Sequence, residues 1–451
     1  MGTEITLEAG RVTLDYAKNN MGADYGYLYQ SGDEVRRVSD QINYEYYEKN
    51  PEDAADIAVS EMSFVRPLSR VLPRLAILGF TLNQAREEYE ALCRETVDLH
   101  DDDEEPPEPM TFEDYCGLVC RYRLLDLSDE YIESGSPDHD ELAQGRLAGE
   151  AAEFKRLPSN GDSDLYYSEA SYFSSKLCIL SAPSMLQIFG LNPENANTEI
   201  IWQFGPLVSA GWVNRESFHP GARREDSLLV VTEGKSDVQI LKRALAIFRP
   251  DVADFFRFID VTEPHHFWGA GKVVNFAEGL LRIDVQNKIL ILLDNDAEGV
   301  GAYQKLKKLA FPPNMIPMLL PELEDFRDFP ARGPEGIKSS DINGRAAAIE
   351  CYLDLELKGE APAQVIWSNY KPDTDSWQGA LAGKERYTDH FRKQTDESLR
   401  GGGYDCSKLM AVLDALISNA SRMSSPARAF PSESGITLEA PHFPSLNSRY
   451  I

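Results

Sequence analysis

SLLVVTEGKSDVQILKRALAIF at residues 227–248 and KILILLDNDAEGVGAYQKLKKLA at residues 288–310 decide the fold of this chain. Each opens on a short apolar run, passes through a turn of small and acidic residues, and continues with the 3.6-residue apolar period of a helix. Between them FFRFIDV (255–261) reads as a strand and VVNFAEGLLRI (273–283) as a helix, and MIPMLL (315–320) follows as a fourth strand. Continuous apolar strands alternating with helices are buried on both faces, which predicts an α/β arrangement with a parallel sheet. Binding and reacting side chains are then expected at the carboxyl ends of the strands, where such a sheet opens its crevice.

Acidic residues stand at those ends. Glu233 closes the first strand, Asp294 and Asp296 close the third, and Glu298 begins the helix after it, while Asp237 lies in the first turn of the helix after Glu233. Asp294 and Asp296 are two residues apart, so an extended backbone points both the same way and lets them share an ion. Carboxylates without His or Cys favour Mg²⁺ or Mn²⁺ over Zn²⁺. Acids at such positions also serve as helix N-caps, an alternative that applies to Asp237 or Glu298 singly more readily than to Glu233, Asp294 and Asp296 as a set.

VVTEGKSD (230–237) followed by LLDNDAEG (292–299) resembles the paired signature of the Toprim domain, found in type IA and II topoisomerases, bacterial primases, small ribosomal-RNA maturases and OLD-family nucleases. The resemblance places the family's Glu on Glu233 and its Asp-x-Asp on Asp294 and Asp296, with the additional OLD-like Asp on Asp237 and the continuation on Glu298 and Gly299. It also implies a further metal-site carboxylate at Glu350 in AAAIECYL and a lysine at Lys384 in ALAGKERY. A Toprim-type parallel sheet flanked by helices is therefore expected, with an α+β N-terminal region and a mixed C-terminal extension. The opening strands and GFTLNQAREEYE (79–90) are similar to the segment preceding Toprim in bacterial HEPN/Toprim-associated proteins, a group connected with antiphage defence. RETVDLH (94–100) is the only fit to the Arg and His pattern of HEPN ribonucleases, and it reads as a solvated helix end without a catalytic role.

The expected regions are 1–110, an N-terminal α+β region; 111–225, a mixed α/β linker region; 226–421, the Toprim domain with its extension; and 422–451, a tail. INYEYYEK (42–49) reads with the opening hairpins. Phe64, Leu68, Val71, Leu72, Leu75 and Leu78 read as one helical stripe. Arg66, Arg70 and Arg74 would share one face of that helix, as a phosphate track or a solvated edge. Thr81 with Gln84 predicts a capped helix start, and the acidic, proline-rich DDDEEPPEP (101–109) an exposed loop.

Composition narrows the function. Against 45 Lys and Arg stand 74 Asp and Glu, a net charge of −29 that repels phosphate backbones and argues against passive coating of nucleic acid. Six scattered cysteines fit neither a zinc ribbon nor a disulfide framework. MGTEITLEAGRV lacks the pattern of a signal peptide, and no run approaches the ~18 apolar residues of a membrane span, so a cytoplasmic setting without membrane contact is expected. GKS at 234–236 lacks the earlier Gly of a phosphate loop, since Leu229 stands there, and GAGK at 269–272 runs on to Val273, so no ATPase is expected.

Phosphodiester hydrolysis is the simplest use of the site the resemblance implies. Mg²⁺ or Mn²⁺ would be held by Glu233, Asp237, Asp294, Asp296, Glu298 and Glu350, with Glu233 as general base and Lys384 stabilising charge on the phosphorane. Arg386, Arg392 and Lys393 in KERYTDHFRK would hold the nucleic-acid backbone, although such a helix is commonly half core and half solvated. The substrate is taken as DNA, with an RNase acting on tRNA or other structured RNA as one alternative and a non-catalytic sensor or scaffold as the other. A homo-oligomer or a partner subunit of a defence system is expected.

Overall fold

EITLEA and VTLDYAK alternate apolar and polar residues on either side of Gly10, whose φ of +63° makes the turn cheap. They pair as antiparallel strands β1 (Glu4–Ala9) and β2 (Val12–Lys18). The computed structural model describes residues 2–39, 42–98, 108–133, 138–158, 166–259, 269–357 and 359–424. They fall into two compact units, one within 1–75 and 80–219, the other within 76–79 and 220–426. Among them no helix is long and apolar enough to cross a membrane.

In the first unit β1 and β2 join β3 (Glu34–Arg36), β4 (Met62–Pro67) and β5 (Glu199–Gln203) in an antiparallel sheet of order β2-β1-β5-β4-β3. The last strand in sequence thus sits in the middle. Trp202 on β5 is the register partner of both Leu7 and Phe64 and packs its indole against Tyr25, Tyr29 and Phe218 at ring distances of 6.0, 6.4 and 5.2 Å. Helices Leu82–Asp98, Phe112–Cys120, Glu169–Leu177 and Ala182–Phe189 contribute to the same buried core. Thr81 caps the first of them as its sequence predicts, its Oγ1 accepting from the Gln84 N–H at 3.3 Å.

Three expectations change here. YEYYEK is the helix Tyr44–Lys49, because the Asn43 side chain accepts from the Tyr46 N–H (3.0 Å) and Glu45 pairs with Lys49 one turn on (2.6 Å). Phe64 lies on β4, and the helix begins only at Leu68, because pairing with β5 and β3 claims the preceding residues for the sheet. The three arginines therefore share no helix face. Arg66 is a buried strand residue bound to Asp33 (3.0 Å), Arg74 is buried with its Nε donating to the Tyr27 carbonyl (2.8 Å), and only Arg70 is exposed. The acidic loop 101–105, His100 and the tail from 425 lie outside the described residues.

The second unit is mixed α/β and is built on the run read first. Strands β6 (Leu228–Val231), β7 (Phe256–Phe258), β8 (Lys288–Leu293) and β10 (Met315–Leu319) form a wholly parallel sheet of order β10-β8-β6-β7. Ile289, Ile291 and Leu293 pack with the helices Ala270–Arg282 and Ala297–Leu306 on one face. Leu290 and Leu292 point the other way, toward the side of helices Lys235–Phe248 and Ser407–Ser424, and are equally buried. Two smaller pairings follow β8. β9 (Asn295–Asp296) pairs antiparallel with β13 (Ala346–Ala347), and β11 (Phe329–Gly333), β12 (Gly336–Ser340), β14 (Val365–Lys371) and β15 (Ser376–Leu381) form a sheet of order β12-β11-β14-β15.

The side on which the next strand is added reverses between β6 and β8. From β6 the chain moves outward to β7, and from β8 it moves to β10 on the opposite side. The crevice of an open α/β sheet lies at that switch point, off the carboxyl ends of those two strands.

Candidate functional site

Glu233 and Asp294 occupy the switch point itself. Two residues past β6, the Glu233 Oε1 accepts the backbone N–H of Asp294, one residue past β8, at 2.9 Å. Gly299 permits this closeness. A Cβ there would stand 2.1 Å from the Asp294 carbonyl oxygen and 3.2 Å from the Glu233 Oε1.

Each remaining carboxylate is placed by a different element. Asp237, in the first turn of Lys235–Phe248, accepts the Gly234 N–H at 2.9 Å and the Ser236 hydroxyl at 3.3 Å. Asp294 Oδ1 accepts the Ile349 N–H at 3.2 Å. Asp296 is the N-cap of Ala297–Leu306, its Oδ1 accepting the Gly299 N–H at 2.8 Å, so the capping role open to such residues is realised here. Glu350 arrives because β9 pairs with β13 and the Asn295 Oδ1 accepts the Gly344 N–H (2.9 Å), docking the 344–350 segment onto 294–296. Glu298 sits at the rim, half exposed, with Lys371 Nζ at 2.6 Å.

Lys384 opens the helix Lys384–Lys393 and reaches the buried Glu350 carboxylate at 3.4 Å. The other end of that helix is held by Arg243, whose guanidinium donates to the carbonyls of Phe391 (2.7 Å), Arg392 (2.8 Å) and Gln394. Tyr387, Thr388 and Phe391 are its buried side. Arg386 is paired with Glu360 and Arg392 with Asp389 (2.9 Å), and Lys393 is exposed.

Burial and mutual repulsion dominate the electrostatics. Burial, opposed by the Asp294 N–H and reinforced by Asp296, Asp237 and Glu298, pushes the Glu233 carboxyl up to about 8. Asp237 is pushed up to about 6 by burial and then by Glu350. Asp294 lies well above the usual carboxylate range through burial and the charges of Asp237, Glu233, Asp296 and Glu350. Asp296 is raised too, chiefly by burial, against the hydrogen bonds from Gly299 and Gln378. Partial burial works to lower the Lys384 ammonium, but Glu350, Asp294 and Asp237 outweigh it and hold its pKa above the usual lysine value. Asp294 thus stands within the field of Asp237, Glu233, Asp296 and Glu350, and Lys384 lies at the edge of the group, against Glu350.

Such a cluster is suited to a hard divalent cation, which offsets the repulsion and takes oxygen ligands alone. Among the described residues the thiol beside these carboxylates is withheld. Burial and the charges of Glu350 and Asp294 push the Cys351 thiol up, and it donates to the Ala346 carbonyl at 3.6 Å. Among the described residues no three acidic, His or Cys side chains are closed on one point as ligands, each carboxylate being turned to a backbone N–H, an amide or an ammonium.

Two residues at this site have no signal in the local sequence. Gln378 on β15 donates from Nε2 to the Asp296 Oδ2 at 2.6 Å and accepts the Glu298 N–H at 3.0 Å, and Lys371 on β14 pairs with Glu298. Both come from a second sheet some eighty residues on, by pairings that only the folded chain creates.

Residues 1–226, half of the 451, match the family described as HEPN/Toprim N-terminal domain 1. The match ends just before β6, so the carboxylate cluster lies beyond it. No curated protein and no solved structure matches the chain.

Proposed function

Because the chain belongs to the HEPN/Toprim N-terminal domain family, which supports a nuclease-related or defence-associated role, we propose that it is a metal-dependent endonuclease of the OLD-like Toprim kind, acting on DNA in antiphage defence. The observation that carries this reading is the convergence of Glu233, Asp237, Asp294, Asp296 and Glu350 at the switch point of a parallel sheet, with a lysine beside them. Glu233, Asp294 and Asp296, with Asp237, Glu298 and Glu350 around them, would hold Mg²⁺ or Mn²⁺, which when bound supplies Lewis-acid stabilisation of charge on a phosphoryl oxygen.

The chain's own residues do the rest. Glu233 has one oxygen fixed by the Asp294 N–H, which leaves its Oε2 as the oxygen that would accept a proton from water. Lys384, kept protonated by Glu350, is positioned to neutralise negative charge that develops on the phosphorane. The −29 charge slows capture of nucleic acid by long-range attraction, which favours an enzyme that acts within an oligomer or a larger defence complex.

The test is to incubate the full chain with Mg²⁺ or Mn²⁺ and plasmid, linear DNA, tRNA and ribosomal RNA. Cleavage of DNA that Glu233→Gln and Asp296→Asn abolish without unfolding the protein is the expected result. Cleavage confined to RNA would change the substrate class. Full activity in EDTA, or in an Asp294/Asp296 double variant, would remove the hydrolase reading.

A further inference from the structure

Gln378 is a neutral side chain among charged ones, on a hairpin whose other strand carries an irregularity. On the β14–β15 hairpin Trp367 pairs with Gly379 but Asn369 pairs with Gln378, so Ser368 is an extra residue on β14. An extra residue shifts the alternation of the strand that carries it. Beyond the bulge Lys371 pairs with Ser376 and stands on the same face as Gln378, while Tyr370 and Trp377 pair on the other and are 46% and 50% exposed.

The amide's orientation is determined by its partners. A backbone N–H can only donate, so the oxygen that meets the Glu298 N–H (3.0 Å) is Oε1, and Nε2 is left to donate to the Asp296 Oδ2 (2.6 Å). Asp296 is thereby gripped at both oxygens, by the Gly299 N–H at 2.8 Å and by Gln378. A carboxylate held at both ends of its plane keeps one orientation, and outer partners of this kind set the geometry of ligands.

We propose that Gln378 is a positioning residue, delivered by the bulged β14–β15 hairpin, that holds the Asp296 carboxylate in the orientation a divalent cation requires. This rests on the metal-dependent reading above. Its role is to pre-orient Asp296 before an ion arrives, so its loss is felt in cation affinity whether or not substrate is present.

The experiment titrates Mn²⁺ calorimetrically into the full chain without nucleic acid, for the wild type, Gln378→Met, Gln378→Asn and Asp296→Asn. Gln378→Met keeps the length and removes both hydrogen bonds. Gln378→Asn keeps the amide but withdraws it by one methylene, and serves if the first variant does not fold. The expected result is a 10- to 100-fold weaker Mn²⁺ affinity, roughly the range for outer-partner changes, in either Gln378 variant with unchanged circular dichroism. Trp377→Ala, on the outward face, should bind as the wild type does. Wild-type binding that Asp296→Asn weakens but both Gln378 variants keep within twofold would overturn the inference alone. No Mn²⁺ binding by the wild type would overturn it together with the metal reading.

Discussion

Glu233 and Asp294 are joined by one hydrogen bond, 2.9 Å from the Asp294 N–H to the Glu233 Oε1, across the gap between the ends of two neighbouring parallel strands. That bond holds two carboxylates close although their charges repel, and it depends on the lack of a side chain at Gly299.

Gly299→Ala is the direct test of that packing. The added methyl would meet the Asp294 carbonyl oxygen at 2.1 Å, and backbone does not yield as a side-chain tip does. A loss of roughly 1–3 kcal/mol in denaturant unfolding is expected, as for other overpacked cores, together with weaker Mn²⁺ binding. An unchanged midpoint would mean that Ala297–Leu306 can slide away from β8 at no cost.

Glu233 gives the metal-free protein a pH dependence. Its folded carboxyl lies at about 8 against an ordinary 4.5, so folding favours the protonated form. This contribution to stability is then fully present below 4.5 and lost as pH rises through about 8. Melting temperatures in EDTA should fall across that window in the wild type and fall less in Glu233→Gln, and added Mn²⁺ should restore the wild type at the alkaline end. A wild-type curve that is flat from acid to alkaline pH would contradict the assignment.

Lys384→Ala separates chemistry from binding. A lysine that stabilises charge only in the transition state lowers kcat, here by about 10²-fold, and leaves KM within about twofold. Stability should change by less than about 1 kcal/mol, because the ammonium is half exposed and its pair with Glu350 is partly screened. Arg392→Ala should instead raise KM and flatten its salt dependence, provided the guanidinium leaves Asp389 for phosphate. Wild-type kcat in Lys384→Ala would return that residue to the role of counter-ion for Glu350.

Deleting residues 1–110 should yield an insoluble protein. The cut removes β1 and β4 from either side of β5 and strips Trp202 of Tyr25, Tyr29 and Phe64. A cut between His219 and Pro220 avoids this and should leave soluble protein that still binds Mn²⁺. Size-exclusion chromatography of the two truncations decides it, and a soluble, monodisperse 111–451 would show that β5 does not need its neighbours.

Local pattern alone determined the parallel sheet of the second unit. The runs at 228–231, 289–293 and 315–319 are apolar throughout because both faces are covered, and a helical period follows the first two. The same pattern put Glu233, Asp294 and Asp296 at strand ends, where chain direction and hydrophobic burial leave few other places for a carboxylate. Tertiary structure decided what depends on distant partners. Phe64 and Arg66 became strand residues because β5, more than 130 residues later, pairs with them. Glu350 entered the cluster through the β9–β13 pairing, and Gln378 and Lys371 through the β14–β15 hairpin. Periodicity reports whether a residue is buried, whereas the identity of its neighbour is set by register and crossover, which are properties of the whole folded chain.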